Sequence, residues 1–175
     1  MEPNATQKQP TYATKEKNGT LLDAREKEKD IRMNNILAAK AVADVVRTSL
    51  GPRGMDKMIT DSKGEVIITN DGATILKQLD VIHPTAKMLV DVSLAQDIEA
   101  GDGTTTVAVL AGSLLSASQF LLEKGIHPNS IADGFLLALK KSLEFIDKIS
   151  KPILLDNRAE ILENVDTALS SKAAS

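Results

Sequence analysis

The sequence predicts a mainly α-helical fold with one small β-hairpin. Apolar residues recur at spacings of three and four along several stretches, which is typical of one buried helix face. Glycine and proline separate these stretches, and one pair of short runs favours strands, at residues 58–60 and 65–69. With 42% hydrophobic and 26% charged residues, the 175 residues can bury one ordinary core.

The first helix is predicted to follow a polar tail. Residues 1–30 contain two prolines and a mixed-charge run over 23–30, a composition that favours a flexible segment. From Ile31 the helical spacing begins, and it stops where Gly51 meets the helix breaker Pro52. The buried face is predicted to consist of Ile36, Ala39, Ala43, Val46 and Leu50.

The hairpin and a short helix come next. Residues 61–64 (Asp-Ser-Lys-Gly) form a four-residue loop between the two strand-like runs, with glycine last. The turn 70–72 (Asn-Asp-Gly) then leads into a helix over 73–79, which the Asp71 side chain is predicted to cap.

Two longer helices are predicted on either side of a glycine-rich break. The first starts after His83-Pro84, because proline suits the first position of a helix, and runs to about Ala100. Residues 101–103 (Gly-Asp-Gly) break it, and the second helix ends at Lys124-Gly125.

The second of these helices has the length of a membrane span, because residues 103–122 carry no charge. Its hydroxyl and amide side chains make it too polar for lipid, so a helix buried among other helices is predicted and no membrane partner is expected. These side chains are Thr104, Thr105, Thr106, Ser113, Ser116, Ser118 and Gln119.

Two further helices complete the predicted fold. One follows Pro128 and ends at Lys151-Pro152. Asn157 and Glu160 are predicted to form a capping box for the last helix, which carries apolar residues at 162, 165 and 169. The first of the two is predicted to bury Ile131, Phe135, Ala138, Phe145 and Ile149.

Composition excludes several classes of function. A formal charge of −3 without a basic stripe argues against nucleic acid as a partner. The absence of cysteine excludes disulfides and thiolate metal sites and suits a reducing compartment. His83 and His127 each precede proline without a helically spaced partner, which argues against a transition-metal site.

The strongest chemical signal is the segment 101–106 (Gly-Asp-Gly-Thr-Thr-Thr) between two predicted helices. Glycines let the backbone approach an anion, and the N–H groups at a helix start together with three hydroxyls suit a phosphate chain. Asp102 could hold the Mg²⁺ that accompanies polyphosphates. The alternative is a tight turn with Thr104 as an ordinary N-cap and Asp102 solvated.

Two other segments resemble anion sites more weakly. Residues 48–54 (Thr-Ser-Leu-Gly-Pro-Arg-Gly) lack the ending of a Walker A loop, and residues 70–74 (Asn-Asp-Gly-Ala-Thr) fit a capped turn equally well. Together the three segments predict a nucleotide site assembled from several loops. A helical binding module that uses them only as turns, and a small phosphotransferase, remain alternative functions.

Three long motifs resemble the signatures of group II chaperonins, the TCP-1/CCT/TRiC family. They are residues 50–58 (Leu-Gly-Pro-Arg-Gly-Met-Asp-Lys-Met), 69–76 (Thr-Asn-Asp-Gly-Ala-Thr-Ile-Leu) and 100–105 (Ala-Gly-Asp-Gly-Thr-Thr). The resemblance runs from about Ile31 to the last residue. It implies a multihelical, partial chaperonin equatorial domain plus the start of an intermediate domain.

The resemblance also implies the roles of individual residues in an ATP site. Asp102 would bind Mg²⁺, and Asp71 would lie near the γ-phosphate as a catalytic carboxylate. Arg53 stands where lysine is commoner in the family. The nucleotide would be held by Leu50, Gly51, Pro52, Gly72, Gly103, Thr104, Thr105 and Thr106.

The implied organisation is a tail over 1–30, the N-terminal part of the equatorial domain over 31–150 and the beginning of an intermediate domain over 151–175. We expect the client-binding apical domain, and the later aspartate that orients the attacking water, to lie outside these residues. The chain alone would then bind ATP without efficient hydrolysis.

The implied function is that of an ATP-dependent folding chaperone. Its expected partners are sister subunits in a hetero-oligomeric double ring in the cytoplasm. Its expected clients are unfolded proteins, such as cytoskeletal proteins.

Overall fold

The computed structural model describes residues 20–60, 64–154 and 156–169. The described residues divide into two compact units, one up to residue 32 and one from residue 33 onward. In chain order the elements are α1 (Thr20–Arg47), β1 (Lys57–Thr60), β2 (Val66–Thr69), α2 (Gly72–Gln78), α3 (Pro84–Ala100), α4 (Thr104–Glu123), α5 (Pro128–Ile149) and α6 (Arg158–Leu169). The predicted class, mainly α with one small hairpin, is confirmed.

Helix α1 begins earlier than the sequence predicts. It starts at Thr20 rather than Ile31, so residues 20–30 are helical, while residues 1–19 lie outside the described part. The mixed-charge run consists largely of good helix formers, which favour a helix as readily as a solvated coil. One of its members, Glu28, pairs with Arg32 at 3.3 Å one turn along.

The hairpin forms as predicted, with antiparallel strands β1 and β2 in a register that pairs Met58 with Ile68 and Ile59 with Ile67. Ile59 is half-buried and packs against the helical core. Met58 and Ile68 lie exposed on the other face. The predicted loop residues 61–63 lie outside the described part of the chain.

The core of the second unit is built from one face each of α1, α2, α3 and α4. The predicted face of α1 is buried at four of its five positions, but Leu50 follows the helix end and is 42% exposed. Gly112 of α4 lies so close to Ala43 of α1 that a Cβ at Gly112 would overlap the Ala43 methyl. The buried apolar cluster consists of Ala39, Val42, Ala43, Val46, Ile75, Leu76, Ala86, Leu89, Val90 and Ala108.

Within the described ranges, α4 is the one helix long and apolar enough to cross a bilayer. One such helix is weak support for a span, because core helices of soluble proteins pass the same test. Only 17% of the apolar window is buried, however, so the predicted burial among other helices is not confirmed. The first turn of α4 is made of three threonines, and Thr104 is buried among protein atoms.

Helix α5 has the predicted position but not the predicted burial. Of the five positions expected inside, Ile131 is buried and Phe135 is half-buried, whereas Phe145 and Ile149 are about 60% exposed and Ala138 is also exposed. An amphipathic pattern shows which face is apolar, but it does not show whether another element covers that face.

Helix α6 begins with the predicted cap. Asn157 Oδ1 accepts a hydrogen bond from the Glu160 backbone N–H at 3.4 Å. The Glu160 carboxylate accepts one from Asn157 Nδ2 at 2.9 Å rather than from the backbone. The reciprocal box is therefore closed through the two side chains.

Candidate functional site

A cleft of about 280 Å³ in the second unit brings together residues from three separate loops. The segment after α1, the turn before α2 and the turn between α3 and α4 all line it. Every site residue predicted from the sequence is among the lining residues: Leu50, Gly51, Pro52, Asp71, Gly72, Asp102, Gly103, Thr104, Thr105 and Thr106.

The first wall is the corner that ends α1. Gly51 has a φ of +85°, a left-handed conformation that glycine adopts without steric cost. The Gly54 N–H donates to the Gly51 carbonyl at 2.9 Å, and the Met55 N–H donates to the Thr48 carbonyl at 2.8 Å. These backbone bonds close the corner and present Leu50, Gly51 and Pro52 to the cleft.

The second wall is the start of α2. Asp71 is its N-cap, as predicted, because its Oδ2 accepts hydrogen bonds from the Thr74 N–H at 3.0 Å and the Thr74 hydroxyl at 2.9 Å. A Cβ on Gly72 would overlap the Thr105 hydroxyl and lie 3.2 Å from the Thr105 backbone nitrogen. Glycine is therefore needed for α2 to begin directly against the first turn of α4.

The third wall is the turn from α3 into α4. Gly101 and Gly103 both have positive φ, 71° and 85°, so the chain reverses direction through two left-handed residues with Asp102 between them. The Gly101 N–H donates to the Asp97 carbonyl at 2.9 Å and closes α3.

The first turn of α4 faces the cleft with three threonines. The N-cap is Gly103, which provides no side-chain bond, so the alternative that Thr104 is an ordinary N-cap is wrong. Thr104 is buried, Thr105 is half-buried and Thr106 is exposed. The start of α4 therefore combines backbone N–H groups without a side-chain cap and neighbouring hydroxyls, an arrangement suited to an anion.

Asp102 does not simply extend into solvent. Its Oδ1 accepts a hydrogen bond from the Gly103 N–H at 2.7 Å, and its backbone carbonyl accepts one from Gln96 Nε2 at 3.1 Å. The Asp102 carboxylate thus binds one N–H donor at the start of α4. The Gln96 side chain of α3 binds the backbone of the same turn.

The cleft is acidic. Asp71, Asp97 and Asp102 line it, and no lysine or arginine is found among the described lining residues. Lys77, at the end of α2, reaches Asp97 at 3.5 Å, but it does not belong to the lining.

Carboxylates alone would not complete the coordination of a cation bound here. Among the described residues, no group of three His, Asp or Glu side chains is arranged to hold a metal ion. A hard cation such as Mg²⁺ is commonly held by one or two carboxylates and completed by phosphate oxygens and water. The exposed carboxylate of Asp102 suits that kind of shared coordination.

Sequence reasoning did not assign every lining residue. Ser49, Asn70 and Gly101 lie in the three predicted segments but were given no individual role, and Asp97 and Thr167 were missed altogether. Asp97 lies in the last turn of α3, directly before the predicted glycine break, and this position could have indicated it. Thr167 carries no local signal, because it reaches the cleft only through the placement of α6.

Comparisons with known proteins identify a matching family and several similar relatives. The model of the TCP-1/cpn60 chaperonin family matches residues 42–175. T-complex protein 1 subunit delta of Rattus norvegicus is 59% identical over 151 residues, which cover 86% of this chain and 28% of that protein. The protein of the same name from Dictyostelium discoideum is 57% identical over 153 residues, 87% of this chain and 29% of the relative.

The chain therefore spans under a third of the length of these relatives. Two segments, residues 81–84 (Val-Ile-His-Pro) and 95–100 (Ala-Gln-Asp-Ile-Glu-Ala), already favour the delta subunit among eukaryotic chaperonin subunits. The similarity to delta subunits of several species confirms that prediction.

Proposed function

Because this chain belongs to the TCP-1/cpn60 chaperonin family, we propose that it forms part of a chaperonin subunit that binds and hydrolyses Mg-ATP to drive protein folding. The observation that carries the proposal is the convergence of three separated motifs on one cleft. A set of ordinary turns would have no reason to meet there, which favours the ATP site over the alternative of a helical binding module.

The triphosphate is assigned to the start of α4. Gly103, Thr104, Thr105 and Thr106 combine backbone donors at a helix N-terminus with hydroxyl groups, and the helix dipole adds a partial positive charge. Across the cleft, the backbone of residues 50–52 and of Gly72 comes close to the nucleotide. Gly51 and Gly72 permit this approach because they carry no side chain.

Magnesium is assigned to Asp102. When bound, the cation neutralises phosphate charge and fixes the orientation of the phosphates. An exposed carboxylate beside a row of hydroxyls fits a cation that takes most of its ligands from the nucleotide and from water.

Asp71 is proposed as a carboxylate near the terminal phosphate. Its backbone is fixed by the cap it makes on α2, and by its own N–H, which donates to the Thr69 hydroxyl at 3.1 Å. The family resemblance assigns the aspartate that orients the attacking water to another part of such subunits. We therefore propose that these 175 residues alone bind Mg-ATP but turn it over slowly.

The proposed setting is a hetero-oligomeric double ring of sister subunits in the cytoplasm, acting on unfolded clients such as cytoskeletal proteins. Family membership and the word "subunit" in the relatives' names support the assembly. Client binding is assigned to a domain that the resemblance places outside these residues. The acidic cleft and the net charge of −3 argue against nucleic acid as a ligand.

Calorimetric titration of the chain with Mg-ATP tests the site. We expect one nucleotide per chain and an affinity about tenfold weaker in Thr106→Val, because a hydrogen bond to a charged phosphate is lost while the side-chain shape is kept. Thr60→Val, on the exposed hairpin, is the matched control and is expected to bind like the wild type. A folded wild-type chain that fails to bind Mg-ATP would refute the proposed site.

A further inference from the structure

We propose that Asp102 is a site of spontaneous backbone modification, where the aspartate converts to isoaspartate through a cyclic imide formed with the nitrogen of Gly103. An aspartate followed by glycine favours this chemistry, because glycine has no side chain to obstruct its nitrogen. The described residues contain three such pairs, 71–72, 102–103 and 133–134, in three different environments. The inference goes beyond the proposed function, since the reaction needs no nucleotide, metal or partner.

The reaction is a condensation followed by a hydrolysis. The backbone nitrogen of Gly103 attacks the protonated side-chain carboxyl group of Asp102 at its carbon. The new C–N bond closes a succinimide ring, and the proton from the nitrogen leaves with the carboxyl hydroxyl as water. Water then opens the ring. Attack at the main-chain carbonyl carbon breaks the original peptide bond and gives isoaspartate, whereas attack at the side-chain carbonyl carbon restores aspartate.

The turn between α3 and α4 holds the two reacting groups together. Asp102 Oδ1 accepts a hydrogen bond from the Gly103 N–H at 2.7 Å, so the side-chain carboxyl group lies against the nitrogen that would attack it. Groups that are already in contact react faster, because the entropy of bringing them together has been lost in folding.

The backbone around Asp102 is also free to adopt the geometry of the ring. Gly101 and Gly103, on either side, have positive φ and the wide conformational range of glycine. A Cβ at Gly101 would meet no atom within 4 Å, so the turn has open space beside it. Asp102 itself is exposed, which gives water access to the ring.

The pair at 71–72 has a different arrangement. Asp71 Oδ2 accepts hydrogen bonds from the Thr74 N–H at 3.0 Å and the Thr74 hydroxyl at 2.9 Å, so this carboxyl group is held toward α2. Gly72 packs directly against Thr105, which leaves little room for the peptide group to rotate. We therefore expect the fold to slow ring closure at Asp71.

The pair at 133–134 tests whether exposure alone is sufficient. Asp133 is exposed, as Asp102 is, but it lies inside helix α5. Ring closure there would rotate a peptide group out of the helix and break backbone hydrogen bonds. A difference in rate between Asp102 and Asp133 therefore reports the backbone and not access to water.

The test follows isoaspartate at all three pairs in one sample. The full 175-residue chain is incubated without nucleotide in mildly acidic buffer at physiological temperature, and trypsin then places the pairs on separate peptides, residues 64–77, 88–124 and 125–140. Methylation by an isoaspartyl methyltransferase and electron-transfer fragmentation measure isoaspartate in each peptide. We expect position 102 to react about tenfold faster than positions 71 and 133. A folded chain in which it reacts no faster would refute the inference.

The same incubation in denaturant separates the effect of the fold from that of the sequence. In the unfolded chain no pair is held in a fixed geometry, so the three rates are expected to converge, and the signal at each position shows that the assay detects it. A preference for position 102 that is equally large in denaturant would contradict the proposal, because neighbouring residues in the sequence would then be sufficient to explain it.

Two matched variants change the residue after each exposed aspartate. Gly103→Ala places a methyl group beside the attacking nitrogen, 3.5 Å from Gln96 Nε2, and should slow isoaspartate formation at 102 about tenfold. Gly134→Ala, whose Cβ would meet no atom within 4 Å, should leave the rate at 102 unchanged. Circular dichroism checks that the helices are retained. If Gly103→Ala does not fold, the three pairs of the wild-type chain decide the question, whereas a folded Gly103→Ala chain with the wild-type rate would overturn the assignment.

Discussion

Replacing Gly112 by alanine sets two physical effects against each other at the contact between α4 and α1. Helix propensity alone predicts that Gly112→Ala stabilises the chain by about 0.5–1 kcal/mol, because glycine is unfavourable in a helix interior. Packing predicts the opposite. The added Cβ would overlap the Ala43 methyl, and Ala43 is fully buried, so no space is open to either group.

The magnitude follows from the same geometry. Carbon atoms in contact are normally about 3.5–4.0 Å apart. The added methyl would lie 3.8 Å from Ala43 Cα, an ordinary contact, so the conflict is methyl against methyl. Overpacking of this kind costs about 1–3 kcal/mol, so subtracting the helix gain of about 0.5–1 kcal/mol leaves a net loss of up to about 2.5 kcal/mol in the free energy of unfolding.

Moving the methyl group from one helix to the other should remove the conflict. Ala43→Gly alone is expected to cost about 2 kcal/mol, from helix propensity and one lost buried methyl. The double variant Ala43→Gly/Gly112→Ala keeps the total side-chain volume, and the helix propensity lost at position 43 is regained at position 112. Its free energy of unfolding should therefore lie within about 0.5 kcal/mol of the wild-type value. The implied coupling of about 3 kcal/mol is measurable by urea unfolding followed by far-UV circular dichroism. A Gly112→Ala chain more stable than the wild type would refute the close contact.

Four further changes have expected outcomes. Gly72→Ala should weaken Mg-ATP binding several-fold in calorimetric titrations, because its Cβ would displace Thr105, and an unchanged affinity would contradict that contact. Asp71→Ala should lower the thermal unfolding stability by about 1 kcal/mol through the lost cap, whereas Asp71→Asn should retain it. Ile75→Ala, at a fully buried position, should lose about 2–5 kcal/mol in urea unfolding, and a smaller loss would mean that the site collapses around the cavity. Lys77→Ala should cost less than about 1 kcal/mol, with the difference vanishing at high salt, because the lysine of this ion pair is 58% exposed.

Local signals predicted most of the helical fold. Pro84 and Pro128 mark the starts of α3 and α5, and Gly101 marks the end of α3. The start of α1 was missed because charged residues favour both a solvated coil and a helix, and composition does not distinguish them. Burial along α5 was missed because it depends on neighbouring elements and not on the helix itself.

Local signals also predicted most of the candidate site. Glycine-rich turns at helix ends can be identified one by one, and their convergence was inferred from their number rather than from any contact. Two details required coordinates: the bond from Gln96 to Asp102, and the bond from Asp102 to Gly103. Both depend on side-chain direction at a turn, which the residue types alone do not determine.

The exposed apolar face of α5 has a consequence for hydrogen exchange. Along most of this helix the amide hydrogens are protected by its own backbone bonds, with little buried surface to resist local opening. We expect amides of residues 136–149 to exchange with deuterium through fraying of α5 alone, well before those of residues 42–46 in the core of α1. Mild denaturant would then melt α5 first, and part of the helical signal would be lost while the three loops of the cleft are still held together.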